Sequence, residues 1–316
     1  RPHGRCRPKG QSESAKLRFL IKEQFPDSVH SRSFTNVLLV PLGEAPARKN
    51  EILIMHLPKF LWTSSMKPLI SFFLVLTLLV DLSVAFGREE PAGNLTFQSF
   101  NKAKKALEQF VVPGHRVTLY CQAPFDENKN IRLPLGFETA VHQKRASRVE
   151  WEHVVPAENF GKFFTEWREG SPRCIDNRGR AFKGRKCAEK ENVMFRFMQS
   201  DMYNLYPSIG AVNAERGNKN FEILPSSIPN TFGSCAMKIS GNKAEPPQAS
   251  RGVIARTYKY MAYAYPDYFR MSPRQARLMD AWDRSYPVQK WECERAKKIQ
   301  ALQGNENPFV STHCKR

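Results

Sequence analysis

The sequence has 316 residues, 41% of them hydrophobic, with 49 Lys and Arg against 30 Asp and Glu and a formal net charge of +19. That hydrophobic share is enough for a packed core, which excludes a chain that is disordered throughout. The basic excess favours a polyanionic partner, either nucleic acid or an acidic membrane surface, and charge alone does not choose between them.

The first stretch of the chain, residues 1–19, is basic and shows no clean helical or strand period. We interpret residues 1–65 as translation upstream of the natural start, or as a disordered arm, because a secretory signal follows them directly. Neither interpretation gives this segment a part in the folded domain.

Residues 66–85 have the layout of a secretory signal peptide. Lys67 follows Met66, an apolar run extends to Val80, and the small residues Ser83 and Ala85 come last. The apolar run covers about 13 residues, whereas a membrane-spanning helix needs about 20, so a retained anchor is the less favoured alternative. We therefore predict a periplasmic or secreted protein of residues 86–316, with a net charge of roughly +13 and no membrane contact.

Six cysteines follow the signal peptide, and an even number in an exported chain indicates disulfides. Cys174 and Cys187 would close a short loop, which makes them the first pair that we predict. A zinc site is the alternative, but the chain has no C-x-x-C pair and no two histidines at ligand spacing.

The first predicted elements belong to the N-terminal half of residues 86–316. Apolar residues recur at helical spacing over 95–110, and Gly114 follows as a stop. Alternating apolar and polar residues predict a strand at 115–121, with 131–137 as its hairpin partner. A second strand is predicted at 148–155, where Pro156 ends ladder pairing.

The C-terminal half is predicted to be mainly helical. Residues 170–189 form a basic loop between the first cysteine pair, and 223–247 look irregular. Helices are predicted at 192–202, 208–213, 253–265, 273–282 and 288–302. Residues 86–316 are therefore expected to form a single α+β domain.

Glu152 and His153 are adjacent polar residues in an otherwise apolar strand of Val and Trp. Neighbours in a strand point to opposite faces, so both can serve one site only where the strand ends, as Pro156 suggests. Histidine can take a proton from water near neutral pH, and a carboxylate can hold a hard divalent cation. Phosphodiester hydrolysis needs both functions, although an incidental pair at an exposed strand end is the alternative.

The block VEWEHVVPAENFG from Val149 and the block DMYNLYPSIGAVNAER from Asp201 resemble the bacterial endonuclease I family. Further similar blocks begin at Arg251, Ser272 and Ile299, so the resemblance covers nearly all of residues 86–316 in order. It implies a mainly helical domain enclosing a ββα-metal (His-Me finger) motif. It also implies a metal-dependent endonuclease with little sequence specificity, leaving 5′-phosphate ends on DNA and also on RNA.

The same resemblance assigns roles by matched position. His153 corresponds to the general base, while Glu152 and Asn213 correspond to the protein ligands of one Mg²⁺, with Mn²⁺ or Ca²⁺ as other occupants. Arg185 corresponds to the arginine that contacts the scissile phosphate. Because the loop differs in length from the family pattern, three further arginines are alternatives for that contact: Arg173, Arg178 and Arg180.

Three supporting residues and two disulfides follow from the resemblance less directly. Gln199 replaces an acid found in some members, while Asp201 and Asn204 are expected to orient the helix that carries Asn213. The implied disulfides are Cys235 with Cys293 and Cys121 with Cys314. The expected partners are DNA and RNA, bound through their phosphates by a monomer, and the alternative function is a non-catalytic, basic, nucleic-acid-binding exported protein.

Overall fold

The structure, a computed structural model, describes residues 92–314. The predicted upstream arm at 1–65 and the signal peptide at 66–85 lie outside the described residues. Over 92–314, no helix is both long enough and apolar enough to cross a bilayer. These residues all belong to one compact unit.

The first helix, α1, spans Phe100–Ala106 and continues as a π-helical turn over Leu107–Val111. The prediction of a helix at 95–110 is confirmed in place, but the helix begins five residues later. The side chain of Asn94 accepts hydrogen bonds from the backbone of Thr96 and Phe97, which holds those residues in a turn ahead of the helix.

Two antiparallel strands form the centre of the site region. Strand β1 spans Val149–His153 and β2 spans Leu205–Ile209, with Val149 opposite Ile209 and His153 opposite Leu205. The predicted strand at 148–155 is confirmed as β1. The prediction of a strand at 115–121 is wrong, because this segment makes a single bridge, at Val117, before the chain turns back. Its partner at 131–137 is likewise reduced to one bridge, at Ile131.

Four helices and a 3₁₀ turn lie between β1 and β2 along the chain. The basic loop ends at Gly184, so the last part of the predicted loop at 170–189 is helical. The helix at Val193–Gln199 confirms the helix predicted at 192–202, and the side chain of Asn192 caps its first turn. The helices are α2 (Ala157–Gly161), α3 (Thr165–Arg168), α4 (Arg185–Glu191) and α5 (Val193–Gln199), and the turn covers Met202–Asn204.

Helix α6, Gly210–Arg216, follows β2 directly and packs against β1. Its first residue is a glycine because a Cβ there would lie 2.5 Å from the carbonyl oxygen of Arg145. The backbone nitrogen of Gly210 donates to the carbonyl of Arg148 at 3.0 Å, which ties the start of α6 to the start of β1. The predicted helix at 208–213 is therefore present but shifted, since Ser208 belongs to β2.

The C-terminal part surrounds this centre with helices. The region predicted as irregular, 223–247, contains two of the three strands of a small sheet, Lys238–Ser240 and Lys243–Glu245. The strand Lys243–Glu245 lies in the centre of that sheet, and the third strand is Asn220–Phe221. The three predicted C-terminal helices are confirmed, and the α+β, mainly helical class is confirmed with them. The remaining elements are β3 (Asn220–Phe221), β4 (Lys238–Ser240), β5 (Lys243–Glu245), α7 (Gln248–Ala264), α8 (Pro273–Ser285), α9 (Lys290–Gln303) and α10 (Pro308–Ser311).

All six cysteines of residues 92–314 are paired in disulfides. The Cys174–Cys187 pair is confirmed, with Cα atoms 5.5 Å apart. The other two predicted pairs are wrong, because the observed disulfides join Cys121 to Cys235 and Cys293 to Cys314. Helix α10 packs against α9, which brings Cys314 next to Cys293 in α9 rather than next to Cys121 near the start of the domain.

Candidate active site

Strand β1 and helix α6 meet through two side-by-side pairs of polar residues. Glu150 and Glu152 are two residues apart in a strand and therefore share one face. Asn213 and Arg216 are three residues apart in a helix and share one side of it. The structure pairs Glu150 with Asn213 and Glu152 with Arg216.

Glu152 and Arg216 form an ion pair that is almost completely buried, at 3% and 0% exposure. The guanidinium Nη1 donates to Glu152 Oε1 at 2.6 Å, and the hydroxyl of Tyr120 donates to the same oxygen. Burial raises the pKa of Glu152, although the nearby Arg216 charge works to lower it. Arg216 also donates to the carbonyls of His153 and Val154, so it fixes the end of β1 as well.

Asn213 contacts Glu150 rather than Glu152. Its Nδ2 donates to Glu150 Oε2 at 3.0 Å, while Arg145 holds the same carboxylate in an ion pair. Burial works to raise the pKa of Glu150, but the hydrogen bonds from Arg145 and Asn213 outweigh it and lower the pKa. With its nitrogen committed to Glu150, Asn213 has its oxygen Oδ1 left to bind another group.

His153 is the last residue of β1, and its side chain lies on the opposite face from Glu152. Its Nε2 is 2.8 Å from the carbonyl oxygen of Gln199, and its ring packs on Phe100 with centroids 4.8 Å apart. A carbonyl can only accept, so Nε2 carries the proton and Nδ1 is the free acceptor. Burial, followed by the charge of Arg185, lowers the pKa of His153 to about 3, which makes the imidazole neutral at pH 7.

Arg185 begins helix α4 beside this histidine, and its guanidinium lies 5.4 Å from the ring centroid of Phe100. Its described hydrogen bonds are two contacts of 3.4 Å to Oε1 of Gln199, which are long for this type of bond. Burial lowers the pKa of Arg185. Over residues 92–314, no carboxylate lies within ion-pair distance of this arginine, and Nε2 of Gln199 is buried without a hydrogen-bond partner.

Three of the arginines in the basic loop were alternatives to Arg185, and all three are exposed or nearly so. Arg173 is paired with Glu191, and Arg180 is paired with Asp176. Arg178 has an exposed side chain in the turn between them. Of these four arginines, the one that lies beside His153 is Arg185, and its contact with the scissile phosphate stays a prediction.

Asp201 and Asn204 hold parts of the fold other than α6. Asp201 accepts hydrogen bonds at 2.7 Å from the hydroxyls of both Tyr260 and Tyr265 in the C-terminal helical region. Asn204 bonds in both directions to the backbone of Val155, at 2.7 and 2.9 Å. Asn204 thus positions the segment that follows His153, not the helix that carries Asn213.

The sequence alone missed four residues of this region: Phe100, Tyr120, Glu150 and Arg216. Glu150 and Arg216 have a detectable signal, because Glu150 precedes Glu152 by two residues and Arg216 follows Asn213 by three. A strand period and a helix period therefore bring these positions to the same sides as the predicted ligands. Phe100 and Tyr120 carry no such signal, since they reach the site from distant parts of the chain.

Several known proteins are similar in sequence to this chain. The family described as Endonuclease I matches residues 103–314. The chain belongs to the endonuclease I family. An extracellular deoxyribonuclease of Aeromonas hydrophila is 37% identical over 243 residues, covering 75% of this chain and 98% of that protein. A periplasmic deoxyribonuclease of the same organism is 37% identical over 69% of this chain and 87% of that protein. Endonuclease-1 of Buchnera aphidicola (Acyrthosiphon pisum) is 38% identical over 61% of this chain and 72% of that protein.

As an endonuclease, the protein hydrolyses phosphodiester bonds within a nucleic-acid chain, and the predicted enzyme class is confirmed. All four predicted site residues lie on or beside β1, within the matched residues. The structure groups them as His153 with Arg185 on one face of β1, and Glu152 with Asn213 on the other.

Proposed function

We propose that this endonuclease cuts DNA with little regard for sequence, using His153 as general base and Arg185 as the phosphate-binding cation. The observation that carries the proposal is that the buried His153 and the half-buried Arg185 lie side by side. The imidazole is neutral with Nδ1 free, and the guanidinium beside it has no carboxylate within ion-pair distance among the described residues. Partial burial of a cation without a paired anion is costly, and a substrate phosphate would supply that anion.

The reacting phosphate would lie across the end of β1, because His153 is the last residue of the strand and groups on both faces would reach a phosphate there. His153 and Arg185 would act in sequence on this phosphate. Arg185 would bind the phosphate oxygens and offset the extra negative charge of the transition state. Nδ1 of His153 would then take a proton from the attacking water. Burial, and after it the charge of Arg185, lowers the pKa of His153, and the incoming negative charge would raise that pKa. Substrate binding would therefore itself improve the base.

A divalent cation fits the residues on the other face of β1. Asn213 has a free amide oxygen, and the described hydrogen bonds of Glu152 both involve Oε1, which leaves Oε2 for a ligand. No cluster of three or more His, Cys, Asp or Glu that could hold a metal occurs in residues 92–314. Two oxygen ligands completed by water and substrate oxygens suit Mg²⁺, with Mn²⁺ or Ca²⁺ as other occupants. When bound, the cation would stabilise negative charge on the phosphate and on the leaving 3′ oxygen, giving 5′-phosphate ends.

In this proposal β1, β2 and α6 are the ββα-metal motif, because the strand pair and the helix that follows it carry both proposed ligands. Contacts to phosphates carry no sequence information, so low specificity follows, and RNA is a second substrate. Three disulfides fit an oxidising, exported location, either periplasmic or extracellular. We expect the protein to act as a monomer.

Plasmid nicking with and without EDTA tests the proposal. Supercoiled DNA should be nicked by the wild-type protein with Mg²⁺, and neither EDTA-treated protein nor His153→Ala should nick it. Binding without nicking by the wild-type protein would instead support the alternative, a non-catalytic nucleic-acid-binding protein. Nicking that survives EDTA would overturn the metal site.

A further inference from the structure

Leu135 is 99% exposed at the tip of a turn near the strand pair. Single exposed apolar side chains are common on protein surfaces and need no explanation by themselves. This one differs because the backbone that carries it is fixed on both sides. The protein therefore presents an exposed apolar side chain at a fixed position on its surface.

The turn covers Pro134 to Phe137. The backbone nitrogen of Phe137 donates to the carbonyl of Pro134 at 3.0 Å, and Gly136 has a φ of +75°. These are the features of a type II turn, with Leu135 at the first corner and a glycine where φ must be positive. The conformation points Leu135 outwards without strain.

A neighbouring segment clamps this turn. The nitrogen of Ser234 donates to the carbonyl of Gly136 at 2.8 Å, and the rings of Phe137 and Phe232 stack with centroids 5.8 Å apart. Gly233 allows this approach, since a Cβ there would lie 2.2 Å from the Gly136 oxygen. The turn is therefore held by backbone and ring contacts that do not involve Leu135.

Residues 232–235, which hold this turn, are linked by a disulfide to the proposed site. Cys235 follows Ser234 and is bonded to Cys121, next to Tyr120, whose hydroxyl contacts Glu152. On the other side, the nitrogen of Ile131 donates to the carbonyl of Ser147, two residues before β1 begins. Both ends of the segment that bears Leu135 are thus anchored within a few residues of the catalytic strand.

The chain segment that contains the turn is basic, which favours a nucleic-acid partner. Residues 131–148 contain four Lys or Arg and one carboxylate, Glu138. Arg132, Lys144 and Arg148 are exposed. Proteins that separate two stacked base pairs of a duplex combine cations with an apolar side chain. The cations bind the phosphates, and the apolar side chain enters between the bases.

We propose that Leu135 is a wedge that enters the bound DNA duplex and partly unstacks one base step beside the bond to be cut. The inference rests on the proposed function, because it concerns the same bound substrate. Unstacking costs least at flexible pyrimidine–purine steps, so the wedge would give an otherwise non-specific enzyme a preference for such steps.

Removing a side chain that is 99% exposed leaves the core intact, so Leu135→Ala can be tested in a folded protein. Leu135→Met retains an apolar tip, and Leu95→Ala removes another leucine that is 40% exposed. Each is compared with the wild type on a duplex carrying 2-aminopurine, with EDTA present during the fluorescence reading. Each is also assayed with Mg²⁺ for cleavage of the duplex and of bis(p-nitrophenyl) phosphate, a diester without bases.

We expect the wild type, Leu135→Met and Leu95→Ala to raise 2-aminopurine fluorescence, and Leu135→Ala to lose that rise. Duplex kcat/KM should fall about tenfold in Leu135→Ala, while the rate on the small diester stays unchanged. Equal fluorescence and equal duplex cleavage in Leu135→Ala and the wild type would overturn the wedge but leave the proposed function intact. A wild type that cuts neither substrate would refute the proposed function instead. Loss of binding to anionic lipid vesicles by Leu135→Ala, with duplex cleavage unchanged, would assign the tip to a membrane and overturn the proposal.

Discussion

His153 is the residue whose role can be separated most cleanly from the metal site. His153→Ala should lower cleavage by about 10² to 10⁴-fold, because it removes the base and leaves Glu152 and Asn213 in place. Mg²⁺ and DNA should still bind, as measured by calorimetry and by fluorescence anisotropy. Added imidazole should restore part of the rate.

Metal concentration supplies the control for that experiment. No excess of Mg²⁺ should rescue His153→Ala, whereas excess Mg²⁺ should partly restore cutting in Asn213→Ala, which lacks a ligand oxygen and one hydrogen bond to Glu150 but keeps the base. Full activity in His153→Ala, or a defect cured by metal, would show that His153 is a ligand rather than the base.

The buried imidazole also predicts how the metal-free protein responds to pH. The folded-state pKa of His153 is lowered to about 3, while the unfolded-state pKa stays near 6.5. The unfolded chain therefore binds the extra proton first, so the stabilising contribution is present above pH 6.5 and is lost as the pH falls towards 3. NMR in EDTA should show no titration of this ring between pH 5 and 8. A midpoint near 6.5 would show that the ring is solvated.

Glu152 needs a gentler substitution than Ala because it neutralises a buried arginine. Removing the carboxylate would leave Arg216 buried and unpaired, at a cost of about 3 to 5 kcal/mol. Glu152→Gln keeps an acceptor for Tyr120 and Arg216, so the chain should fold with a lower melting temperature and a weaker affinity for Mg²⁺.

A second buried pair offers the matched control for Glu152. Glu292 accepts from Arg256 at 2.7 Å and is 4% exposed, far from β1 in the chain. Glu292→Gln should lower the melting temperature without changing the Mg²⁺ concentration at half-maximal rate. If Glu150→Ala, and not Glu152→Gln, shifts that concentration, then Glu150 is the ligand and Glu152 is purely structural.

At this scale the sequence indicates which residues gather at β1 better than it indicates the residues that hold them. His153 and Arg185 lie beside one another, and their catalytic roles stay predictions. The contacts of Asn213 with Glu150, and of Glu152 with Arg216, depend on how α6 packs on β1. A linear pattern records the period of each element but not the register between them, so these pairings could not be predicted.

Among the elements, long helices were predicted well, whereas β1 is the one short strand of residues 92–314 that was predicted. Helices α7 to α9 are at least 13 residues long and their apolar period specifies them locally, and α8 also has a side-chain cap at Ser272. Strand β2 contains Pro207, a residue that argues against a strand, yet Pro207 lies opposite Trp151 in full register. Pairing with β1 overrides the local preference, and only the folded chain shows it.

The basic loop between Cys174 and Cys187 is the element whose disulfide should affect catalysis. Cys187 lies in the first turn of α4, two residues after Arg185, so the bridge holds the helix end that presents the guanidinium. Replacing both cysteines by Ser should cost about 2 to 4 kcal/mol and also lower kcat. Melting curves and rates measured well below the transition separate the two effects.

The Cys293–Cys314 disulfide is the control for that pair, since it closes a loop of similar size at the C-terminus. The Ser variant of this pair should lose stability to a similar degree and keep kcat. An equal loss of kcat in both double variants would show that the first disulfide acts through stability alone.

For the whole molecule, the positive net charge favours a polyanionic partner. The exposure of each cation determines how it contributes to binding that partner. Arg185 is half-buried and, in the proposed function, binds the reacting phosphate, whereas Arg178 is exposed in the loop that precedes it. Substitutions of the two arginines should therefore affect binding and catalysis differently, although the residues are only seven positions apart.

Substrate binding should weaken steeply with salt, because each phosphate contact releases condensed counterions and contributes about −0.9 to the slope of log affinity against log salt. Arg178→Ala should make that slope about one unit shallower if its side chain contacts a phosphate, with little change in kcat under saturating DNA. Arg185→Ala should lower kcat by about 10² to 10³-fold, since its partner is charge that develops in the transition state. Anisotropy titrations from 50 to 200 mM salt and single-turnover rates measure the two quantities. An affinity that does not change with salt would mean that the basic surface does not bind the phosphate backbone.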